Sequence, residues 1–101
     1  MTLEEFKNLL ERTTLPCSFD HFKTPQPLPY LIYLVTDNNE FAADNSNYHT
    51  DPVIQVELYT EVKNQTLEET VEDVLSGFFY TKDEGNLSDE QMYLVTYQLT
   101  L

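Results

Sequence analysis

Two segments of the chain carry apolar residues at helical spacing. Each segment opens with the pattern of a capping box, TLEE at residues 2–5 and TLEE at residues 66–69. The first helix is predicted to end near Thr13, ahead of Pro16, and the second at Gly77. The two apolar stripes consist of Leu3, Phe6, Leu9 and Leu10, and of Val71, Val74, Leu75 and Phe78.

Other segments are continuously apolar or alternate between apolar and polar residues, as strands do. The continuous run at residues 30–36 suits a central strand buried on both faces. Residues 52–62 alternate and predict a half-buried strand that is antiparallel to 30–36. A turn is expected at residues 82–91, where DEGN stands between a short strand and the long final strand. The predicted strands are residues 17–22, 30–36, 52–62, 79–81 and 92–101.

The order of these elements predicts the α+β class, with two helices packed on one face of a mostly antiparallel sheet of four to five strands. A length of 101 residues predicts a single domain, residues 1–101. If the long apolar strand at residues 92–101 lay at the edge of the sheet, it would invite pairing with another chain.

Charge changes the picture of possible partners. The chain has 18 acidic and five basic residues, a formal net charge of −13. Such a surface repels phosphate backbones and anionic lipid, so we expect no direct nucleic-acid binding and no membrane binding, and we expect basic, neutral or metal-bearing partners. The simpler interpretation is that the charge only keeps the protein soluble. No apolar run approaches the ~20 residues of a membrane span, and a soluble protein made in the cytoplasm is expected.

Candidate chemistry is sparse. Cys17 is the single cysteine, and His21 lies on the same side of an extended segment but beyond hydrogen-bond reach. We therefore interpret Cys17 as a small buried or half-buried residue and His21 as a surface residue. The Asp and Asn clusters within residues 37–51 lack the ligand order of a calcium-binding loop. Two separated glycines exclude a glycine-rich phosphate loop. We therefore expect no catalytic residues, no metal site, no cofactor and no enzymatic activity.

The loop at residues 37–51 (DNNEFAADNSNYHTD) is polar except for two large rings, Phe41 and Tyr48. Aromatic residues are enriched where proteins meet, so these rings and Tyr59 of the following strand are candidates for an interface. Tyr93 and Tyr97 fit either an interface or the core.

Several longer segments carry a resemblance: LPCSFDHF (15–22), PYLIYLVTDNNEFAADNSNY (29–48), IQVELYTEVKNQTLEETVEDVL (54–75) and MYLVTYQLTL (92–101). With them the chain resembles small proteins encoded in the head-to-tail joining region of tailed phages and prophages of Gram-positive bacteria. The most telling parts of the resemblance are moderately specific: the FAAD motif and Tyr48 before a VELYT-type strand, followed by an LEE-type capped helix. Asp44 of the FAAD motif joins Phe41, Tyr48 and Tyr59 in the candidate interface.

The resemblance implies a tail-completion or tail-terminator-like protein without catalytic residues. Such subunits self-associate into a ring at the virion neck and contact the tail tube and head connector proteins, after assembly in the bacterial cytoplasm. Ring subunits need two different contact surfaces.

An acidic DNA mimic is the alternative function. In that case, carboxylates on the solvent side of the second helix would imitate phosphates and inhibit a host nuclease or another nucleic-acid-binding protein. The residues proposed for this acidic face are Glu68, Glu69, Glu72 and Asp73.

Overall fold

The computed structural model of the protein describes residues 1–37, 52–87 and 91–101. In this part of the chain, two α-helices and five strands follow one another in the predicted order, with three strands after the first helix and two after the second. A single 3₁₀ turn, Glu11–Thr13, follows the first helix, so the helical segment ends where the sequence predicts. The elements are α1 (Leu3–Leu10), β1 (Cys17–Phe19), β2 (Tyr30–Asp37), β3 (Val53–Thr60), α2 (Gln65–Val74), β4 (Tyr80–Leu87) and β5 (Met92–Thr100).

The five strands form one sheet in the order β1-β2-β3-β5-β4. Only β1 and β2 are parallel, and every other neighbouring pair is antiparallel. The α+β class and the antiparallel pairing of β2 with β3 are therefore confirmed. The chain-terminal strand β5 lies between β3 and β4, so the concern that it forms an open apolar edge is wrong. The edges are β1 and β4.

The sequence predicts the N-terminal cap of α1 correctly and that of α2 incorrectly. At α1 the capping box is present, with the Thr2 amide donating to Glu5 Oε1 (2.8 Å) and the Glu5 amide donating to Thr2 Oγ1 (3.1 Å). At α2 the cap is Asn64, whose Oδ1 accepts a hydrogen bond from the Leu67 amide at 3.0 Å. The capping box predicted at residues 66–69 is wrong, because the stronger N-cap residue two positions earlier starts the helix first.

One buried cluster forms the core, and both helices contribute to it through Phe6, Leu10, Val71 and Leu75. The strand residues of the cluster alternate along their strands, and the register aligns them on one face of the sheet, which we call the core face. They are Leu31, Tyr33, Ile54, Val56, Leu58, Val95, Tyr97 and Leu99.

The alternate positions of β2–β5 lie on the opposite face, which we call the second face. It comprises the even-numbered positions of β2 and β5 and the odd-numbered positions of β3 and β4. In the part of the chain that the structure describes, the core cluster contains none of these residues. Most are half-buried or exposed, while Ile32 is buried.

Strand β4 corrects the predicted turn at residues 82–91. All eight residues of β4 pair with β5, from Tyr80 opposite Leu99 to Leu87 opposite Met92. The polar sequence resembles a turn because β4 is an edge strand whose central residues are exposed to solvent. The other edge is shorter than predicted, because β1 ends at Phe19 and Asp20 takes a positive φ of 67°.

Candidate interaction surface

Tyr59, the one predicted interface residue that the structure describes, lies half-buried on the second face. Its ring packs beside that of Tyr30, its partner across β2 and β3, with 5.0 Å between ring centroids. Tyr30 in turn meets Phe22 edge to face at 5.2 Å. The segment between β1 and β2 therefore contributes to an aromatic group at one margin of the second face. Phe41, Asp44 and Tyr48 lie outside the described residues.

A chain of hydrogen bonds runs along β3 beside this aromatic group. The Tyr59 hydroxyl donates to Glu57 Oε1 at 2.8 Å, and Gln55 Nε2 donates to Glu57 Oε2 at 2.6 Å. Residues two apart in a strand share a face, which is why the three side chains meet. Both oxygens of the carboxylate thus accept from neutral groups, and these bonds orient the carboxylate without neutralising its charge.

The second face is acidic at its centre. In the strand register, Thr96 of β5 lies opposite Glu57 of β3 on one side and Asp83 of β4 on the other. No Lys or Arg occupies a second-face position of β2–β5. Lys23 borders a groove at the β2 margin of this face, together with Tyr30 and Ile32. The carboxylates at the centre of the face are therefore without an opposite charge on that face.

One end of the second face opens into a groove of about 610 Å³ beside a fully exposed phenyl ring. The ring belongs to Phe79, between α2 and β4, and its exposure is as high as in an extended chain, at 102%. Sequence reasoning placed Phe79 in a strand and missed it as a surface residue. The sequence contains one signal of this exposure. Phe78 completes the apolar stripe of α2, so the adjacent Phe79 lies outside that stripe. The groove is lined by Val53, Phe78, Phe79, Thr81, Gln98 and Thr100, among others.

A smaller groove of about 230 Å³ lies at the opposite end of the sheet. Leu28, Pro29, Val62 and Leu67 contribute its apolar lining, and Val62 is 71% exposed. Because β3 begins at the large groove with Val53 and reaches the small one with Thr60, the two are separated by about 25 Å of strand. The molecule thus has apolar surface at both ends of its sheet.

The predicted acidic face of α2 is not an exposed array. Glu68 is only 2% exposed, and its carboxylate is bound by Lys63 Nζ at 3.0 Å and by Lys82 Nζ at 2.9 Å. Lys82 Nζ also lies 2.7 Å from Glu72. Only Glu69 and Asp73 of the four acids are exposed. The helix positions explain this correction, because Glu68 shares the stripe of Val71 and Leu75 at i, i+3 and i+7.

Tyrosines complete this ion cluster, which we define as Lys63, Glu68, Glu72, Lys82, Glu84, Tyr93 and Tyr97. Tyr97 is fully buried and donates to Glu72 at 2.8 Å, and Tyr93 donates to Glu84. Tyr97 is therefore a core residue, and the half-buried Tyr93 also faces the cluster. The cluster fastens α2 to β4 and β5.

The ion cluster shifts the titration of its members. Burial alone would raise the pKa of Glu72, but hydrogen bonds from Lys82 and Tyr97 bring it below the ordinary value. Hydrogen bonds from Lys63 and then Tyr93 lower the pKa of Glu84. The pKa of Lys82 is raised, chiefly by its bond to Glu72. The charged forms of these groups are thus favoured at neutral pH.

The structural interpretation of Cys17 is consistent with its surroundings. Burial, followed by the charge of Glu11, raises the pKa of the half-buried Cys17 thiol to about 11. His21 instead has Asp20 as its neighbour, with Nδ1 3.0 Å from Oδ2. The thiol therefore stays protonated at neutral pH. The Asp and Asn clusters within residues 38–51 lie outside the described residues.

Three findings bear on what else the chain resembles or contains. Comparison with protein-family models, with curated proteins and with solved structures gives no match. Within residues 1–37, 52–87 and 91–101, no three His, Cys, Asp or Glu side chains are grouped so that they could hold a metal ion. Over the same ranges, no helix has the length and apolar character needed to cross a membrane.

Proposed function

We propose that this protein is a structural subunit of the head-to-tail joining region of a tailed phage or prophage, a tail-completion or tail-terminator protein that acts by assembling with other proteins. The resemblance of its sequence to such proteins supports the specific role. The second face, which combines aliphatic, aromatic and acidic side chains, supports action through protein contacts.

The observation that carries the proposal is the apolar content of the second face. An antiparallel strand with one face toward water normally alternates apolar and polar residues. Here β2 is apolar on both faces, and Ile32 and Leu34 are joined on the second face by Leu94 and Tyr59. Leu34, Tyr59 and Leu94 are half-buried, and partly exposed apolar side chains on one face of a sheet support an interaction site there.

The dimensions of the second face suit a protein interface. Four strands of about eight residues, at ~3.3 Å per residue and ~4.8 Å between strands, cover roughly 26 by 19 Å. The resulting area of roughly 500 Å² is somewhat more than half of the ~800 Å² that each partner contributes to a standard interface. The groove beside Phe79 extends this surface at one end.

Assembly through the sheet edges is disfavoured. The edge strand β1 has only three residues, and the edge strand β4 carries Lys82, Asp83 and Glu84 at its centre. Short edges and charged edges both discourage pairing with another strand. Contacts are therefore expected through the second face and the two ends of the sheet.

Apolar surface at two ends of the sheet meets a requirement of ring formation. A ring of identical subunits uses two different surfaces of each subunit in every contact. Phe79 projects at one end, and the groove beside Val62 lies at the other, with a volume above the ~150 Å³ that suffices to hold a benzene ring. In our proposal, these ends contact each other in the ring, and the second face is left for another protein.

The test is deletion of the gene in the phage or prophage that encodes the protein. The proposal predicts complete heads and complete tails that fail to unite, counted by negative-stain electron microscopy, and restoration by the wild-type gene. It also predicts that mass spectrometry detects the chain in purified particles. A normal yield of infectious particles after deletion, or arrest before heads form, would refute the proposal.

The DNA-mimic alternative predicts a different result. It requires a displayed array of carboxylates, whereas Glu68 and Glu72 are held in the ion cluster. Replacement of the exposed Glu69 and Asp73 by Gln and Asn should leave joining intact, because exposed charges contribute little individually. Salt-sensitive inhibition of a host nuclease that these replacements abolish would instead favour the mimic.

A further inference from the structure

We propose that the second face binds a protein other than this chain, and that this partner places Lys or Arg side chains against Glu57 and Asp83. The inference rests on the proposed function and specifies the chemistry of one partner in the particle. It follows from the charges on the face, its area and the location of the chain's own bases.

The charge argument begins with the register. Glu57 and Asp83 lie on either side of Thr96, two strand spacings or ~10 Å apart, so a single docked surface reaches both. A partner that covers them removes water from two carboxylates, which is unfavourable unless a cation replaces the water. The hydrogen bonds from Tyr59 and Gln55 hold the Glu57 carboxylate in place without supplying that cation.

A second copy does not fit this requirement. Two second faces packed together would bring four carboxylates into one interface, and like charges at an interface oppose association. The net charge of −13 adds repulsion at longer range.

The chain's own bases do not form a complementary patch either. All five lie among the described residues, and two of them, Lys63 and Lys82, are engaged in the ion cluster. Lys7 and Arg12 are exposed on α1 and the turn that follows it, but they stand among Glu4, Glu5 and Glu11. The fifth base, Lys23, is exposed and borders a groove at the β2 margin of the second face. One such base on each copy does not match the two carboxylates Glu57 and Asp83, so we expect the matching cations to come from another protein.

Site-specific photo-crosslinking tests this inference. Benzoylphenylalanine replaces Gln98, an exposed residue of the second face, in cells that assemble particles, and the same replacement at Asn8, exposed on α1, serves as the control. Mass spectrometry of the crosslinked peptides identifies the partner and the segment captured. We expect capture of one different protein through a segment that contains Lys or Arg, above the yield from the Asn8 position.

Charge variants make the test specific. In the Gln98 background, Glu57→Arg with Asp83→Arg should reduce capture at least about tenfold, which corresponds to ~1.4 kcal/mol. A reciprocal change of the captured Lys or Arg to Glu should restore it. Capture of a second copy, crosslinks within the chain, a yield equal to that from Asn8, or capture indifferent to the charge changes would each overturn the inference.

The outcome separates this inference from the proposed function. Capture of a basic protein that is not a particle component would support the inference and contradict the role in joining. A joining defect after gene deletion, combined with no capture through Gln98, would support the role and contradict the inference.

Discussion

Both faces of the sheet have carboxylates, but only those on the core face are in contact with bases. On the core face, Glu68 and Glu72 of α2 and Glu84 of β4 are bound by Lys63 and Lys82. On the second face, Glu57 and Asp83 have no base at any position of that face. Two of the five bases in the chain, Lys63 and Lys82, contact the buried Glu68. The comparison teaches that the acids on the core face are paired with bases, whereas those on the second face are not, and we propose that a partner binds the latter.

Apolar residues show the same division. Leu58 of β3 is completely buried in the core, whereas Leu94 of the neighbouring strand β5 is half-buried on the second face. The same residue type therefore has two environments one strand apart. Substitutions matched in this way separate a contribution to folding from a contribution to binding.

The largest effect is expected from that leucine pair. Leu58→Ala removes buried methyl groups from the core and should lower the free energy of unfolding by about 2–5 kcal/mol. Leu94→Ala should lower it by less than about 1 kcal/mol, because part of the side chain is already in contact with water. Urea denaturation of both variants measures the difference, and equal losses would show that the second face is a second core.

The next effect concerns the buried acid of the ion cluster. Glu68→Gln removes the negative charge that both lysines contact, and it should lower the free energy of unfolding by about 1–3 kcal/mol. Glu69→Gln, one residue along the same helix, should stay within about 0.5 kcal/mol because Glu69 is exposed. Thermal melting of the two variants side by side suffices. A neutral Glu68→Gln would mean that the cluster does not hold α2 in place.

A smaller contrast is expected between two adjacent rings. Phe78 packs edge to face on Phe6 at 5.8 Å between centroids, and Phe78→Ser should lower the free energy of unfolding by roughly 1–2 kcal/mol. Phe79→Ser should change it by less than about 0.5 kcal/mol, since the ring is fully exposed, yet it should weaken ring assembly as measured by native mass spectrometry of particle components. A Phe79→Ser variant that assembles normally would remove Phe79 from the interface.

The smallest effect is a dependence of stability on pH. The pKa values of Glu72 and Glu84 are below the ordinary 4.5 in the folded protein, so their contribution is present above that pH and is lost as pH falls through the folded values. The pKa of Lys82 is above 10.5, so its contribution is present below that pH and is lost as pH rises through the folded value. Melting temperatures measured from pH 3 to 6 should therefore fall as the pH is lowered.

A variant without the two carboxylates provides the control for that pH dependence. Glu72→Gln with Glu84→Gln should flatten the fall in melting temperature toward acid. Glu4→Gln with Glu69→Gln changes the net charge equally and leaves the ion cluster intact. If both double variants follow the same pH profile, then the ion cluster is not the source of the acid sensitivity.

The sequence predicts the faces of β3 well, because alternation from Ile54 to Tyr59 directly reports which side is buried. It fails at β4, whose exposed edge has no apolar pattern and whose strand character depends on pairing with β5. At Glu68 the position within the apolar stripe of α2 is a local signal of burial, but the base that pairs with it, Lys82, is 14 residues away in the chain. Long-range pairing of this kind leaves no local signal.

Only part of the candidate site can be predicted from the sequence. Tyr59 was predicted from its residue type, but its link to Glu57 and the acidic row across Thr96 depends on the register of three strands. Phe79 was assigned to a strand, since its exposure depends on where α2 ends. The predicted contacts of Phe41, Asp44 and Tyr48 stay predictions.

The most direct test of the account places a base within the acidic row of the second face. Thr96→Arg puts a cation between Glu57 and Asp83, where it satisfies both carboxylates and obstructs a partner. Asn8→Arg on α1 makes the same change in net charge at an exposed site away from that face. Both variants complement the gene deletion, and infectious particles are counted. The account predicts that Thr96→Arg melts within a few degrees of the wild type but leaves heads and tails separate, while Asn8→Arg joins them. Wild-type numbers of infectious particles with a folded Thr96→Arg variant would contradict it.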